Sequence, residues 1–472
     1  MFTDIQKTEV LRARLSGFAL LSTCLLVLIE QLSGSLPGLP HLAVVSALLY
    51  VGLEWKHNVL MAKCLVGLTA LLMASAWLLI DEPLQLFLEG VGLGAFFMTF
   101  FCALSFLRGA AENSDQIRRA GLHLLAQPPA WRYLALTFGA NLFGLIISFG
   151  SLNLLGAMVL RAESEITQGN PDAGSHARSR RGILAILRGF SMVPAWSPLS
   201  IAVPMVLLSQ PGLTWQTLVP WALLIAVVLM LLGWVEDKLQ PTLPVPASGI
   251  LSTHERWSVH LPVLTLILLI FVLAITAESV LELRLVVSVM LVCPFVAMSW
   301  MLFQALYSSD NRSHRFTRSV TQHVMVTMPG CRVELTVLFT AACLGVLVQY
   351  ALPPGLISQL LEQLNISAQW LPPAAFLLIV LLAHLAINPM MSTFILSAAI
   401  PSGEALGISS LSLALAYLVG WGVGVGSSQF TIANLVMAGL TGKPSRLIAY
   451  QWNLRYTLAA MLVMCVVLYV IA

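Results

Sequence analysis

The amino-acid sequence predicts an all-α polytopic membrane protein with about 11 transmembrane helices and two opposed re-entrant hairpins, arranged as an inverted repeat. Of its 472 residues, 58% are hydrophobic and only 10% are charged, whereas soluble domains carry about a quarter charged residues. Apolar runs of about 18 or more residues recur along the chain, and each is long enough to cross a bilayer. Lys and Arg fall in clusters between these runs, and the positive-inside rule places such clusters in the cytoplasm.

The basic clusters constrain the number of membrane crossings between them. The chain between two cytoplasmic clusters must cross the membrane an even number of times. They lie at 7–14, 56–63, 108–132, 161–188, 238–256, 312–332 and 443–446. Four of the intervals are each predicted to form two helices, namely 15–55, 64–107, 189–237 and 257–311. No small-residue cleavage site follows the first apolar run, so this run is predicted to be a retained helix with a cytoplasmic N-terminus.

The interval 133–160 is too short for two crossings. Its 28 residues carry no basic group and lie between two strongly basic loops, whereas two full spans need about 40 residues. It is therefore predicted to be a re-entrant hairpin that enters and leaves on the cytoplasmic side. Glycines give it flexibility, and "SFGSLN" (148–153) is expected at its tip.

The interval 333–442 contains no Lys or Arg. Helices at 333–351 and 407–440 leave the segment 371–401 between loops that also lack basic residues, so it is predicted to enter and leave from outside. Its tip is expected at "INPMMST" (387–393), facing the first hairpin. The alternative is that both hairpin segments are single tilted helices, which would place several basic loops outside.

The order of elements then repeats with opposite orientation. After an N-terminal helix at 1–40, residues 41–237 give three helices, a hairpin, a broken helix and a further helix. A cytoplasmic linker follows at 238–257, and 258–472 repeat that order and end outside. Inverted repeats are typical of secondary transporters, which bind substrate near the midplane where broken segments meet.

The long helix after each hairpin is also predicted to be interrupted. The helix at 182–210 contains "MVPAWSPLSIAVP", and the helix at 407–440 contains "GWGVGVGSSQFTIAN". Proline removes backbone donors and glycine loosens a helix, and irregular backbone at membrane depth is tolerated only where it is buried or lines a polar cavity. Two hairpin tips and two unwound helix centres are therefore expected to converge on one binding site.

This architecture resembles the ion transporter superfamily, and within it the divalent-anion/sodium symporters that carry dicarboxylates and citrate. The stretch "GSSQFTIANLVMAGLTGK" (426–443) also resembles the glycine-rich segment of arsenite-pump and sodium/proton-antiporter relatives. The contiguous Ser-Asn-Thr that symporters carry at each tip is absent from this sequence. The resemblance implies alternating-access transport of a small anionic, carboxylate-type solute coupled to Na⁺ or H⁺, and a homodimer.

Hydroxyl and amide side chains in the four broken segments are the predicted substrate and ion ligands. They are Ser148, Ser151, Asn153, Ser197 and Ser200 in the first repeat, and Asn388, Ser392, Thr393, Ser427, Ser428, Gln429, Thr431 and Asn434 in the second. Half-helices that begin at a break favour an anion, and those that end there present carbonyls that suit Na⁺. The alternative for each serine or threonine is a hydroxyl that caps its own helix backbone.

Titratable groups are scarce in these segments. None of the four contains Asp or Glu, which argues against sodium/proton exchange, since that usually requires a buried carboxylate. His384 lies near the second tip and is predicted either to carry a proton or to pack as a hydrogen-bonded histidine. Arg188 lies in the first broken helix and is predicted either to attract an anion or to anchor the chain at the cytoplasmic side.

Other function classes are less well supported by the sequence. An intramembrane enzyme would need a nucleophile–base or metal constellation, and neither such a motif nor a paired spacing of the seven cysteines occurs. The alternative function is a flippase or membrane component for export of lipid-linked or other larger molecules. The expected partners are a small-molecule or ion substrate and the lipid bilayer, with no nucleic acid and no cofactor other than Na⁺ as a coupling ion. The expected location is the plasma (bacterial inner) membrane.

Overall fold

The computed structural model describes residues 2–34, 38–111, 114–167, 173–240, 255–306, 312–353 and 355–472. Within these ranges the chain is helical and contains no strand, which confirms the predicted fold class. Nine of the described helices are long and apolar enough to cross a membrane, or up to 11 if each of two bent helix pairs is one span. Most of the predicted linker, 241–254, lies outside the described residues.

The α-helices are numbered in chain order. They are α1 (Phe2–Ser33), α2 (Leu39–Glu54), α3 (Leu60–Leu79), α4 (Pro83–Ala111), α5 (Asp115–Leu125), α6 (Pro129–Ile147), α7 (Gly150–Ile166), α8 (Ala173–Ser191), α9 (Val193–Trp196), α10 (Ala202–Ser209), α11 (Trp215–Lys238), α12 (Leu261–Leu281), α13 (Leu285–Leu306), α14 (Arg312–Gln322), α15 (Met328–Gly330), α16 (Arg332–Ala351), α17 (Leu356–Gln363), α18 (Leu371–His384), α19 (Pro389–Ala399), α20 (Ser410–Ser427), α21 (Ile432–Thr441), α22 (Ser445–Leu447) and α23 (Leu454–Val470). The short turns are 3₁₀ at Trp55–His57, Trp257–His260, Ala368–Trp370 and Glu404–Leu406, and π-helical at His323–Thr327 and Ile448–Trp452.

The chain forms two compact units. Unit 1 comprises Met1–Ala110, Leu269–Leu356 and Phe394–Ile400, and unit 2 comprises Ala111–Leu268, Ile357–Thr393 and Pro401–Ala472. Each unit therefore takes segments from both predicted repeats. The first hairpin, both broken helices and the tip of the second hairpin all belong to unit 2.

Unit 1 is held by close helix contacts and one buried carboxylate. The Sγ of Cys343 on α16 lies 3.3 Å from the carbonyl of Gly90 on α4, because glycine lets the two helices approach closely. Glu54 is only 1% exposed and accepts hydrogen bonds from Arg12 at 2.6 Å and Ser16 at 2.5 Å. These bonds join α1 to the end of α2.

Unit 2 is built around α20, most of which is buried. Helices α8, α9, α10, α11, α18 and α23 pack against it. Two glycines allow the helices of unit 2 to approach one another this closely. A Cβ at Gly422 would lie 2.7 Å from the Ser191 carbonyl oxygen, and a Cβ at Gly189 would lie 2.0 Å from the Thr137 carbonyl oxygen.

The first predicted hairpin is formed by α6 and α7, which contact each other on either side of a break at Ser148–Phe149. Residues from the start of α6 (129–136) and from the end of α7 (159–166) line the same cavity. The two arms therefore return to the same end of unit 2. The chain thus breaks within 133–160, and the re-entrant course of this segment in a membrane stays a prediction.

The second predicted hairpin is formed by α18 and α19. The ring of Trp370, directly before α18, lies 4.7 Å from that of Tyr469 near the C-terminus. Ser409, a few residues after the hairpin, donates its backbone N–H to the carbonyl of Ala472 at 3.1 Å. Both flanks of this hairpin therefore lie beside the C-terminal end of α23.

The two ends of helix α11 contact unit 2 residues that flank different hairpins. Just before α11, Gln210 accepts a hydrogen bond from the backbone of Gly403, beside the second hairpin, at 3.0 Å. At its other end, Asp237 pairs with Arg181, beside the base of the first hairpin, at 3.3 Å. The opposed re-entrant arrangement predicted from the charge clusters agrees with these contacts and stays a prediction.

Three stretches differ in detail from the predicted boundaries. The first broken helix begins at Ala173 instead of 182, and the predicted loop before the second hairpin contains α17, which lies at 111° to the 368–384 helix. The helix predicted at 447–470 starts with the π turn Ile448–Trp452. Hydropathy and charge locate apolar runs, but they do not report a bend inside one.

Candidate functional site

The tip of the first hairpin is a strained turn that uses its own serines as caps. Ser148 has a φ of +47°, a region that residues other than glycine rarely adopt. The Ser151 hydroxyl donates to the Ser148 carbonyl oxygen at 2.8 Å. Asn153 is exposed on the second turn of α7. The Ser151 hydroxyl therefore acts as a local cap, and Asn153 is the accessible amide of this tip.

The first broken helix separates into α8, α9 and α10, with an irregular stretch at 197–201. Pro198 has no backbone N–H to continue a helix there. The Ser197 hydroxyl accepts the backbone N–H of Leu199 at 3.0 Å. The Ser200 hydroxyl is inaccessible to solvent and has no hydrogen-bond partner among the described residues. Ser200 thus presents an unused polar atom at the break.

The tip of the second hairpin is fixed by Asn388 and Pro389. Asn388 Oδ1 accepts the backbone N–H of Met390 at 2.9 Å, which caps the start of α19. The Thr393 hydroxyl donates to the Pro389 carbonyl oxygen at 2.8 Å. The Ser392 hydroxyl lies 3.4 Å from the backbone carbonyl oxygen of Asn388. All three predicted ligands of this tip make local backbone contacts.

The second broken helix separates into α20 and α21 at 428–431. Ser428 accepts the backbone N–H of Phe430 at 3.2 Å, and the Thr431 hydroxyl donates to the Val425 carbonyl oxygen at 2.8 Å. Asn434 is fully buried, and its Nδ2 donates to the Gly426 carbonyl oxygen at 3.1 Å. Its Oδ1 has no partner among the described residues. Gln429 is half-buried beside this break.

His384 joins the second hairpin to the second broken helix. Its Nδ1 lies 3.1 Å from the Tyr450 hydroxyl and its Nε2 lies 3.4 Å from the Ser427 hydroxyl. Tyr450 belongs to a π turn, and such turns are frequent at functional sites. The Ser428 hydroxyl also donates to the Ala383 carbonyl oxygen at 2.6 Å. Hydrogen bonds therefore link α18 directly to the break after α20.

Asn141 joins the first hairpin to the first broken helix, although sequence reasoning did not single it out. Its Nδ2 donates to the Gly189 carbonyl oxygen at 2.9 Å, and its Oδ1 accepts the indole N–H of Trp196 at 3.3 Å. An amide in an apolar helix requires hydrogen-bond partners. The isolated asparagine in "GAN" (139–141) was therefore the only signal in the sequence that such partners exist. The sequence could not name those partners.

The structure therefore brings the predicted ligands together in two groups, one around each hairpin. Helices α8 and α9 of the first group pack against α20 of the second, and α7 packs against α21. Within the described residues, no hydrogen bond links a residue of one hairpin tip to a residue of the other. The part of the chain that the structure describes also holds no group of three His, Cys, Asp or Glu able to bind a metal ion.

Arg188 occupies a closed polar node between these groups. Its side chain is 1% exposed and donates to Asn453 Oδ1 at 2.8 Å and to the Tyr133 hydroxyl at 2.9 Å. Glu236 pairs with its Nη2 at 2.5 Å, and the ring of Tyr456 lies 4.3 Å below its Cζ. These contacts come from three helices, α6, α11 and α23, and from the residue that precedes α23.

The node reaches the second break through Asn453. Its Nδ2 donates to the Gly426 carbonyl oxygen at 3.0 Å, the same oxygen that accepts from Asn434. Arg188 is thus connected by two hydrogen bonds to the last turn before the α20 break. Sequence reasoning considered Arg188 alone and missed Tyr133, Glu236 and Asn453, because nothing local indicates a partner 265 residues away.

Comparison with known proteins identifies the fold. No protein-family model matches the chain, and no curated protein sequence matches it. The structure is similar to that of the Alcanivorax borkumensis YdaH transporter, with a TM-score of 0.53 and 16% identity over 91% of this chain and 98% of that one. It is also similar to Neisseria gonorrhoeae MtrF, described with a class of antimetabolite efflux pumps, with a TM-score of 0.53 and 13% identity over 83% of this chain and 84% of that one. The chain therefore shares the fold of these two proteins.

Proposed function

We propose that this chain is a secondary active transporter that moves a small anionic, carboxylate-type solute by alternating access, coupled to Na⁺ or H⁺. The observation that carries the proposal is that α11 contacts the base of the first hairpin at one end and the flank of the second at the other, with both broken helices in unit 2. This arrangement supplies irregular backbone from two directions, which is how transporters build a site near the midplane.

The anionic character of the solute follows from the half-helices. Helices α7, α10, α19 and α21 each begin at a break or hairpin tip, so their N-termini present unpaired N–H groups and a positive dipole end. The breaks and tips themselves, at 148–153, 197–201, 387–393 and 428–431, contain no Lys or Arg that would attract an anion more strongly. Backbone groups would therefore recognise the carboxylate.

Two buried oxygens are the best candidates for ion or substrate contact. Ser200 Oγ and Asn434 Oδ1 are both inaccessible and have no hydrogen-bond partner among the described residues. An unsatisfied buried polar atom costs roughly 1–3 kcal/mol, and a bound ion or solute would remove that cost. The Ser427 and His384 side chains bond to each other, so they are second in rank as contacts.

The proposed transport can run inward or outward. MtrF is described with antimetabolite efflux pumps, which makes outward movement of a small solute a direction to test beside uptake. The likeness to either neighbour reflects the fold, so the solute itself must come from experiment.

The test is transport by the purified full-length chain in proteoliposomes. We expect radiolabelled succinate or citrate to move when either a Na⁺ or a pH gradient is imposed, and to exchange with unlabelled solute. Ser200→Ala should reduce the rate at least about tenfold without lowering the thermal unfolding midpoint, because this hydroxyl has no partner among the described residues. No movement or exchange of either solute by folded protein would contradict the carboxylate assignment.

The matched control is Ser299→Ala, whose hydroxyl bonds only to its own helix at Phe295 and lies in unit 1. This variant should transport at the normal rate. Equal losses in Ser200→Ala and Ser299→Ala would remove Ser200 from the site.

A further inference from the structure

A charged cavity lies at the base of the first hairpin, away from the predicted ligands. Its volume is about 90 Å³, and its charged lining consists of Arg132, Arg178, Arg181, Glu163 and Asp237. None of the hydroxyl or amide residues predicted to bind the solute lines it. Tyr133 lines it too, and the 15 residues from Tyr133 to Ser148 correspond to about 22 Å of helix. The cavity is therefore distinct from the hairpin tip.

The cavity has an excess of one positive charge. Arg178 bonds to Glu163 at 3.0 Å, with both side chains 8% exposed, and Arg181 pairs with Asp237 at 3.3 Å. These two pairs neutralise four of the five charges. The remaining charge is that of Arg132.

Arg132 is held in place with most of its donors unused. Its Nε donates to the Gln127 carbonyl oxygen at 3.2 Å, which fixes the side chain beside the cavity. The structure gives its two terminal nitrogens no hydrogen bond to any described residue. A guanidinium group binds carboxylate or phosphate oxygens through two parallel hydrogen bonds.

The size and the walls of the cavity suit one oxyanion group. A volume of 90 Å³ exceeds the roughly 10–15 Å³ that one water requires on this measure, so several water-sized groups fit, whereas a large solute does not. The remaining wall is largely apolar, with Leu125, Leu136, Val159 and Ile166. Apolar walls lower the local dielectric constant and strengthen an arginine–anion contact.

We propose that this cavity binds a single oxyanion group, a carboxylate or a phosphate, with Arg132 as the residue that contacts it. Tyr133, which belongs to the same lining, accepts a hydrogen bond from Arg188 through its hydroxyl. The occupant therefore lies beside a side chain that also belongs to the node of the broken helices. This site goes beyond the proposed transport function and does not depend on it.

The test is a titration of inorganic phosphate on the purified full-length chain in an uncharged detergent, followed by calorimetry. We expect saturable binding to the wild type, weakened at least about tenfold in Arg132→Gln and only a few-fold in Arg132→Lys. The matched control is Arg161→Gln, which removes the same charge from a side chain that is 84% exposed and paired with Glu165. This control should change the affinity less than about twofold.

A gain of affinity provides a second, independent readout. Glu163→Gln removes the carboxylate that pairs with Arg178, which raises the net charge of the cavity, so phosphate should bind several-fold more tightly. Absence of saturable phosphate binding to the wild type would overturn the proposal. Equal weakening by Arg132→Gln and Arg161→Gln would also overturn it, because only net charge would then matter.

The source of the anion is separated by repeating the titration in nanodiscs. Discs of phosphatidylcholine alone are compared with discs that also contain phosphatidylglycerol. If phosphatidylglycerol competes with phosphate in an Arg132-dependent way, the natural occupant is a lipid headgroup. If Arg132-dependent phosphate binding is unchanged by phosphatidylglycerol, the occupant is a soluble anion. Phosphate binding in either disc that does not depend on Arg132 would contradict the assigned contact.

Discussion

Removing one partner of the Arg188–Glu236 ion pair should destabilise unit 2 far more than removing one partner of an exposed pair does. Removing one partner of a buried pair leaves an uncompensated charge and costs roughly 3–5 kcal/mol. Arg188 is 1% exposed, whereas the Glu236 side chain is 18% exposed. We therefore expect Glu236→Gln to cost about 3 kcal/mol, the lower end of the range, because glutamine keeps an acceptor for the guanidinium group.

The assay is a double-mutant cycle on the free energy of unfolding, measured by titration with SDS from mild detergent micelles. Glu236→Gln, Arg188→Gln and the double variant should show a coupling energy of at least about 1 kcal/mol, since the two side chains touch. The same cycle on Arg161 and Glu165, which are 84% and 60% exposed, should show less than about 0.5 kcal/mol.

The result that would refute this reasoning is additivity at the buried pair. If the coupling energy between Glu236→Gln and Arg188→Gln is no larger than the coupling energy of the exposed pair, the polar node around Arg188 does not hold the helices together. The contacts of Arg188 with Tyr133 and Asn453 would then be a consequence of packing and not a cause of it.

Three further outcomes test other parts of the structure. Burial lowers the pKa of His323 to about 4, so as the pH falls from about 6.5 toward 4 the unfolded chain binds a proton before the folded chain does, and up to about 3 kcal/mol of folding free energy should be lost. Thermal unfolding of His323→Gln should lack this pH dependence. A pH profile of the variant equal to that of the wild type would refute the role of His323. Gly189→Ala should destabilise by more than about 2 kcal/mol, because its Cβ would lie 2.0 Å from a carbonyl oxygen, whereas Gly439→Ala, with no atom within 4 Å, should be neutral or slightly stabilising; equal unfolding midpoints would contradict the close approach. Ala386 has a φ of +65°, so Ala386→Gly should raise the free energy of unfolding by up to about 1 kcal/mol, and a loss of stability would show that the turn is not strained.

The positions of the breaks could be predicted from the sequence because proline, glycine and polar residues interrupt an apolar run. The expected tips at 148–153 and 387–393 contain the observed breaks at Ser148 and Asn388. The opposed openings of the hairpins are predicted from the positions of Lys and Arg alone. Charge segregation and helix-breaking chemistry are local properties, so a single sequence displays them.

The long-range pairs could not be predicted, because their partners are far apart along the chain. Asn141 and Asn453 each bond to a glycine carbonyl on another helix, and an isolated asparagine does not reveal which carbonyl it will meet. Arg188 was assigned to an anion contact or to the cytoplasmic surface, but the structure buries it against Glu236. A positive charge in a sequence does not reveal whether it is neutralised in the fold.

The proposed transport site depends most directly on both hairpins being re-entrant in the membrane, and side-specific cysteine labelling tests this. Single cysteines at Asp115, Glu165, Asn365 and Glu404, all exposed, are introduced after the seven native cysteines are replaced. Re-entrant hairpins predict labelling of positions 115 and 165 only from the cytoplasm, and of positions 365 and 404 only from outside. Labelling of positions 115 and 165 from opposite sides would contradict this prediction, because the first hairpin would then span the membrane.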